Sequence, residues 1–124
     1  MLKNLLTILL SALLIFSCSK NKTEKIVYEP TDEEQARAIY AEALVSLNDG
    51  DAFYAAKKFR EVESLLPQGK WAVKSSLMAS YSDYNRSAYP NAVFSLERHI
   101  KNYPFDQNLP YAHYLIAMCY YEQI

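Results

Sequence analysis

Glycine is scarce in this chain of 124 residues, in which Gly50 and Gly69 are the only two. A phosphate-binding loop requires glycines close together and, in its P-loop form, a serine or threonine after the Gly-Lys pair. Here Trp71 follows Gly69 and Lys70 instead. The H-E-x-x-H and G-x-S-x-G motifs of metalloproteases and hydrolases are also missing from the sequence. We therefore expect a protein that is not an enzyme.

Side chains that bind metals are equally few, with two histidines and two cysteines in the whole chain. His113 and Cys119 share a predicted helix but lie about 240° apart around its axis, so one ion cannot contact both. Neighbouring carboxylates such as Glu61 and Glu63 diverge on a helix and are expected on a solvated face. The sequence predicts no metal site and no bound cofactor.

An excess of positive charge is also lacking, because 13 basic side chains stand against 14 acidic ones and the net charge is −1. The lysines and arginines are spread along the chain and form no long basic block, the densest group being KKFR at residues 57–60. Proteins that bind nucleic acids usually carry a clustered basic surface that contacts phosphates. We therefore expect no nucleic-acid partner.

The main long hydrophobic run covers residues 5–16 and is interrupted only by Thr7 and Ser11. A membrane-spanning helix needs about 20 apolar residues. A shorter apolar run after a basic residue, here Lys3, is typical of a secretory signal peptide. The sequence predicts a signal peptide over residues 1–17.

The end of this segment, LIFSC at residues 14–18, resembles a bacterial lipobox, with aliphatic Ile15 three positions before Cys18 and small Ser17 beside it. The resemblance implies that Cys18 becomes an S-diacylglycerol cysteine and, after cleavage, an N-palmitoyl cysteine. Several acyl chains, at about 0.8 kcal/mol per buried methylene, form a stable membrane anchor. Residues 18–30 would then be a lipidated N-terminus and flexible tether. The alternative is a buried N-terminal helix with an incidental cysteine.

Helical periodicity begins after Pro30, where Thr31 and Glu34 form a T-x-x-E capping box. Apolar side chains then recur at intervals of three and four residues, which is the spacing of one helix face. Turn residues at positions 48–50, 67, 69, 90, 104 and 108 interrupt this pattern. The sequence therefore predicts five helices and no strand.

The helical pattern repeats every 37 residues, as the distance from Pro67 to Pro104 illustrates. Small side chains recur with the same offset at Ala43, Ser80 and Ala117. This spacing resembles the tetratricopeptide repeat, in which small side chains let two helices approach closely and a proline ends the second helix. The resemblance implies an all-α fold, a tetratricopeptide-like helical solenoid over residues 31–124 with two repeats plus the first helix of a third.

A solenoid of this kind needs about three repeats for stability, together with a capping helix. We therefore expect the natural protein to continue beyond residue 124. In that case Leu115, Met118 and Cys119 are expected to face water in this chain.

Tyrosine is abundant, with eleven in the chain. Tetratricopeptide arrays take peptides in a concave groove lined by the first helix of each repeat, and tyrosine offers large contact area at a low cost in entropy. Arg37 and Lys74, one repeat apart, are positioned to attract a terminal carboxylate. The alternative is that the tyrosines fill the core between helices. The candidate peptide-binding residues are Arg37, Lys74, Tyr81, Tyr84 and Tyr114.

The junction between the second and third repeats is the most distinctive stretch, with RHIKNYP at residues 98–104 followed by LPYAHYL at residues 109–115. With the lipobox and the tether, it resembles the BamD family of outer-membrane assembly lipoproteins, also called YfiO or ComL. The resemblance implies a non-catalytic scaffold, lipid-anchored at the periplasmic side of the cell outer membrane. The implied partners are BamA, other β-barrel assembly lipoproteins and unfolded outer-membrane β-barrel precursors, and the only implied prosthetic group is the covalent lipid on Cys18.

Two other functions stay open at this point. One is a periplasmic tetratricopeptide repeat protein that coordinates cell-envelope complexes during division. The other is a lipid-anchored enzyme whose catalytic residues lie beyond residue 124.

Replacing Cys18 with alanine tests the lipobox. The Cys18→Ala variant lacks the sulfur that accepts the lipid, so we expect an unprocessed protein in the soluble or inner-membrane fraction, measured by gel mobility and density-gradient fractionation. Cys119→Ala is the matched control and should be processed normally. The lipobox interpretation is wrong if the Cys18→Ala variant still fractionates with the outer membrane on its own.

Overall fold

The computed structural model describes residues 29–124 of the protein. The predicted signal peptide, Cys18 and nearly all of the tether lie outside the described residues. Within the described range there are five helices, no strand, and no helix that is long and apolar enough to cross a membrane. This confirms the predicted all-α class. The helices are α1 (Asp32–Asn48), α2 (Ala52–Leu65), α3 (Lys70–Asn85), α4 (Tyr89–Asn102) and α5 (Leu109–Tyr121).

Local sequence signals set the first helix boundaries. The Thr31 hydroxyl accepts a hydrogen bond from the backbone N–H of Glu34 at 3.3 Å, and the Glu34 carboxylate accepts one from the backbone of Thr31 at 2.9 Å. Asp51 caps α2 by accepting a hydrogen bond from the backbone N–H of Tyr54 at 2.9 Å. Between these two helices Gly50 has a φ of 90°, a conformation that glycine adopts without steric cost.

Consecutive helices pack against each other, and α3 also contacts both α1 and α5. Because the connections are short, neighbouring helices run antiparallel. The pairs α1–α2 and α3–α4 form the first and second repeats, and α5 is the first helix of a third. The predicted solenoid is confirmed, with the first helices α1, α3 and α5 in one layer and α2 and α4 in the other.

The core consists largely of small side chains, most of them at helix crossings. Phe59 and Leu96 are the large side chains at equivalent positions of the two repeats, and both are 0% exposed. This agreement supports the repeat offset derived from the sequence. The buried small residues are Ala36, Ala43, Ala52, Ala55, Ala56, Ala72, Ala79, Ala92, Ala112, Ser75, Ser76, Ser80, Ser82 and Ser95.

The prediction that Leu115, Met118 and Cys119 face water is wrong for Leu115 and Cys119, which are 2% and 0% exposed, and Met118 is half-buried. Leu115 packs with Leu96 and Cys119 packs with Val93, so this face of α5 lies against the second repeat. Burial also raises the pKa of the Cys119 thiol. The exposed side of α5 carries tyrosines instead, among them Tyr114 at 56%. Periodicity identified an apolar stripe on α5 but not the neighbour that covers it.

The expectation of a solvated Glu61 and Glu63 is correct only for Glu61, which lies at the surface and pairs with Lys58 at 3.2 Å. The side chain of Glu63 is 12% exposed and accepts hydrogen bonds from Arg98 at 2.7 Å and from the Tyr103 hydroxyl at 3.3 Å. This contact joins the second helix of the first repeat to the end of the second repeat.

Enlarging one of the small residues at a helix crossing should loosen the stack. Ala43 lies in a buried cluster with Ala55, Phe59 and Ala79. We expect Ala43→Leu to lower the free energy of unfolding by about 1–3 kcal/mol, because overpacking displaces α2 and α3. The measurement is denaturant unfolding followed by circular dichroism.

Ala41→Leu is the matched control, because Ala41 lies on the same helix but is exposed. This control should change the free energy of unfolding by less than about 0.5 kcal/mol. Equal stability of the two variants would show that small side chains are not required where α1 meets its neighbours.

Candidate peptide-binding site

Tyrosines of α3 and α5 meet on the layer of first helices. Tyr81 and Tyr84 are half-buried and pack against the apolar cluster that joins α3, α4 and α5. On α5, the rings of Tyr111 and Tyr114 stack with centroids 6.2 Å apart at an interplanar angle of 27°. Tyr111 is 41% exposed and Tyr114 56%. We call these four residues the tyrosine cluster.

The phenol groups of the tyrosine cluster are close enough to interact electrostatically. Burial raises the pKa of Tyr111, and the nearby phenols of Tyr81 and Tyr114 raise it further. Burial also raises the pKa of Tyr84, with a smaller contribution from the Glu122 carboxylate. Both tyrosines are therefore protonated at neutral pH, and their hydroxyls can donate hydrogen bonds to a ligand.

The two cationic candidates line different pockets. Arg37 is exposed on α1 beside Glu33, in a small pocket at the start of that helix. Lys74 is exposed on α3, where its ammonium lies 5.6 Å from the centre of the Trp71 ring. The structure therefore does not bring Arg37 and Lys74 into one pocket, although they occupy equivalent repeat positions.

Lys74 borders an open pocket of about 520 Å³ between α3 and the loop before α5. Its apolar side consists of Val73, Pro104 and Phe105, and the Phe105 ring is 97% exposed. Lys70 contributes a second ammonium, which pairs with Glu33 at 3.2 Å and lowers the pKa of that carboxyl. We call Lys70, Val73, Lys74, Pro104 and Phe105 the lysine pocket.

The lysine pocket and the tyrosine cluster lie along one side of α3. Lys74 precedes Tyr81 by two helical turns, which puts the two side chains on the same face about 10 Å apart along the axis. A bound peptide of a few extended residues can span that distance. The arrangement can bind aromatic side chains and a carboxylate together. Among residues 29–124 no three potential metal ligands come together.

Sequence reasoning missed Tyr111, Lys70 and Phe105. Tyr111 lies three residues before Tyr114, so the helical period alone places both on one face of α5. Lys70 precedes Lys74 by one turn in the same way. Phe105 lies in a loop and therefore shows no helical periodicity in the sequence. Its position near α3 follows only from the course of the backbone in the structure.

A family model described as YfiO, outer membrane lipoprotein, matches residues 32–124, which include all five helices. The chain belongs to the YfiO family. The predicted resemblance is confirmed, and the expected location at the cell outer membrane agrees with the description of the family. Cys18 lies outside both the described residues and this match.

Several curated relatives of this YfiO family member carry the name outer membrane protein assembly factor BamD. The relative from Caulobacter vibrioides is 34% identical over 94% of this chain and 37% of its own length. The relative from Neisseria gonorrhoeae is 28% identical over 99% of this chain and 46% of its own length. The relative from Rickettsia prowazekii is 29% identical over 94% of this chain and 46% of its own length. The chain thus spans less than half the length of these relatives, and no solved structure matches it.

Alanine substitutions should separate packing tyrosines from surface tyrosines. Tyr84 contacts two core clusters and its ring lies 5.8 Å from that of Tyr89. We expect Tyr84→Ala to lower the free energy of unfolding by about 2 kcal/mol or more. Tyr114→Ala should lower it by less than about 1 kcal/mol, because Tyr114 is mainly exposed. Urea unfolding of both variants measures the difference, and equal losses would contradict this assignment.

Proposed function

We propose that the protein is a non-catalytic, lipid-anchored scaffold of the machinery that assembles β-barrel proteins into the outer membrane. The observation that carries this proposal is the YfiO match, which runs through all five helices. The name of the relatives, assembly factor, agrees with a role without catalysis. Lipid on Cys18 would hold the solenoid at the periplasmic side of the membrane.

The partners in this role are BamA, other β-barrel assembly lipoproteins and unfolded β-barrel precursors. We assign the precursor contact to the repeats described here, because they carry the exposed aromatic surface. We assign the contacts with BamA and the other lipoproteins to no particular residues of this chain, which spans less than half the length of its relatives.

The tyrosine cluster is the proposed contact for aromatic side chains of a precursor. Tyr111 and Tyr114 form a stacked pair, so their orientation is largely fixed before a ligand arrives. A rigid aromatic surface loses little conformational entropy on binding, and hydroxyls at its rim can pair with peptide backbone. Tyr81 and Tyr84 extend this surface on α3, where they also support the core.

The lysine pocket is the proposed contact for a terminal carboxylate. Lys70 already pairs with Glu33, whereas Lys74 contacts only the face of the Trp71 ring among the described interactions. Lys74 is therefore the better placed of the two to bind an incoming carboxylate. Phe105 and Val73 beside it can cover the last apolar side chain of the peptide. Arg37 is assigned no contact with this ligand, since its pocket lies apart.

The test is binding of a fluorescein-labelled peptide that ends in phenylalanine with a free carboxylate, measured by fluorescence anisotropy with the full-length protein. We expect Tyr114→Ala and Lys74→Ala each to weaken binding about tenfold, since an anchoring contact is typically worth about 1–3 kcal/mol. The C-terminal amide of the peptide should bind the parent as weakly as the free acid binds the Lys74→Ala variant.

Lys101→Ala is the matched control, because Lys101 is an exposed lysine on α4 that does not line the lysine pocket. It should bind the peptide as the parent does. If the Tyr114→Ala and Lys74→Ala variants melt normally and also bind with the affinity of the parent, the precursor contact lies elsewhere.

A further inference from the structure

A second recess lies between the second helices of the two repeats, away from the tyrosine cluster. It consists of two adjoining open pockets of about 520 and 290 Å³. Arg60 of α2 and Arg98 of α4 line both pockets, so the pockets form one elongated depression. We call it the arginine groove. Gln68 lies toward one end and Phe94 toward the other.

The carboxylates that pair with these arginines lie deeper than the arginines themselves. Asp83 is 0% exposed and accepts hydrogen bonds from Arg60 and from Arg86, the latter at 3.0 Å. The side chain of Glu63, bound to Arg98, is 12% exposed. By contrast, the side chains of Arg60 and Arg98 are 39% and 41% exposed. Each guanidinium therefore presents an outer edge to the groove.

The charges around the groove do not balance. The charged residues that line the groove are Arg60, Arg98 and Glu63, so two guanidiniums stand against one carboxylate in the lining, and the carboxylate of Asp83 lies buried behind Arg60. A guanidinium has five N–H donors, and Arg98 directs one of its terminal nitrogens at Glu63. The Arg98 Nε is buried and has no hydrogen-bond partner, so a ligand in the groove would meet only the terminal nitrogens. The lining thus combines an excess of positive charge with terminal guanidinium nitrogens that have further N–H groups to donate, which favours binding of an anionic acceptor.

The shape of the groove favours an extended peptide over a membrane surface. Its two arginines are recessed between helices, whereas contact with a flat layer of lipid headgroups requires protruding basic side chains. Phe94 is 70% exposed beside one pocket and can cover an apolar side chain of a peptide. Asn102 and Gln68 at the other end can pair with peptide backbone.

We propose that the arginine groove is a second docking site, which binds an extended acidic segment of a partner protein through Arg60 and Arg98. An aspartate or glutamate of the segment accepts hydrogen bonds from the outer edges of the guanidiniums. Asn102 and Tyr103 line both this groove and the pocket at Lys74, so the two sites adjoin at the end of α4, whereas Arg60 and Arg98 line only the groove. The proposal does not depend on the family assignment.

The test uses the full-length protein and a fluorescein-labelled peptide of alternating aspartate and leucine residues, followed by fluorescence anisotropy. Arg98→Gln alone would leave the carboxylate of Glu63 without its partner, so the test variant is the double change Arg98→Gln with Glu63→Gln. This variant removes one guanidinium and one carboxylate, so the net charge of the protein is unchanged. The two glutamines can still form a hydrogen bond with each other. We expect it to bind the peptide at least about tenfold more weakly, because a hydrogen bond between charged groups contributes about 1.5–3 kcal/mol.

Lys57→Gln is the matched control, since Lys57 is an exposed cation on α2 that does not line the groove. It should change the affinity less than about twofold, as expected for a charge in bulk solvent. The peptide with asparagine in place of aspartate should not bind the parent measurably. The double variant should bind the phenylalanine-ended peptide normally, which separates this site from the precursor contact.

Two results would overturn the proposal. One is a double variant that melts like the parent and binds the acidic peptide with the parent affinity. The other is that vesicles of phosphatidylglycerol bind the parent through Arg98 while the acidic peptide does not, which would assign the groove to lipid headgroups.

Discussion

Alanine and serine side chains occupy the crossings between helices, and the close approach that they permit is the constraint on which the stack depends. Ala43 of α1, Ala55 of α2 and Ala79 of α3 share one buried cluster. Methyl groups fill little space, so the interior is close-packed only where the helix backbones come near each other. Few large side chains are fully buried, among them Phe59 and Leu96, and other large side chains lie half-buried at the edges of the crossings. Tyr40 is an example, with its ring centroid 5.2 Å from that of Phe59.

A core of small side chains buries little apolar area per helix, so polar contacts between repeats carry more of the stability. How much each polar contact contributes to the free energy of unfolding depends on how deeply it is buried. The Asp83 carboxylate is fully buried and pairs with both Arg60 and Arg86, so loss of one guanidinium removes a hydrogen bond between charged groups, which contributes about 1.5–3 kcal/mol, and leaves the other pair in place. An exposed pair such as Lys70 with Glu33 contributes about 0–1 kcal/mol. The contact between His99, which is 0% exposed, and Asp106 at 2.9 Å joins α4 to the loop before α5.

Sequence periodicity was sufficient for the helices, the repeat offset and the small residues at the crossings, because these depend on spacing along one chain segment. It also placed Tyr81 and Tyr84 on α3, the first helix of the second repeat. It was insufficient where a partner lies far away in the sequence, as for Glu63, whose arginine comes from the next repeat. It also failed for Leu115, because a helical stripe does not reveal the element that covers it. The lysine pocket was missed because its outer wall is a loop.

Helix α3 links the arginine groove to the tyrosine cluster. Asp83 connects it to α2 through Arg60 and to its own last turn through Arg86. The next residue, Tyr84, points toward α5 and packs against Tyr89. Because adjacent residues on a helix point about 100° apart, fixing Asp83 toward α2 also fixes the direction of Tyr84. The ion pair behind the arginine groove therefore helps to orient Tyr84, a member of the tyrosine cluster, on the adjacent face of the same helix, which gives the two surfaces a common structural support.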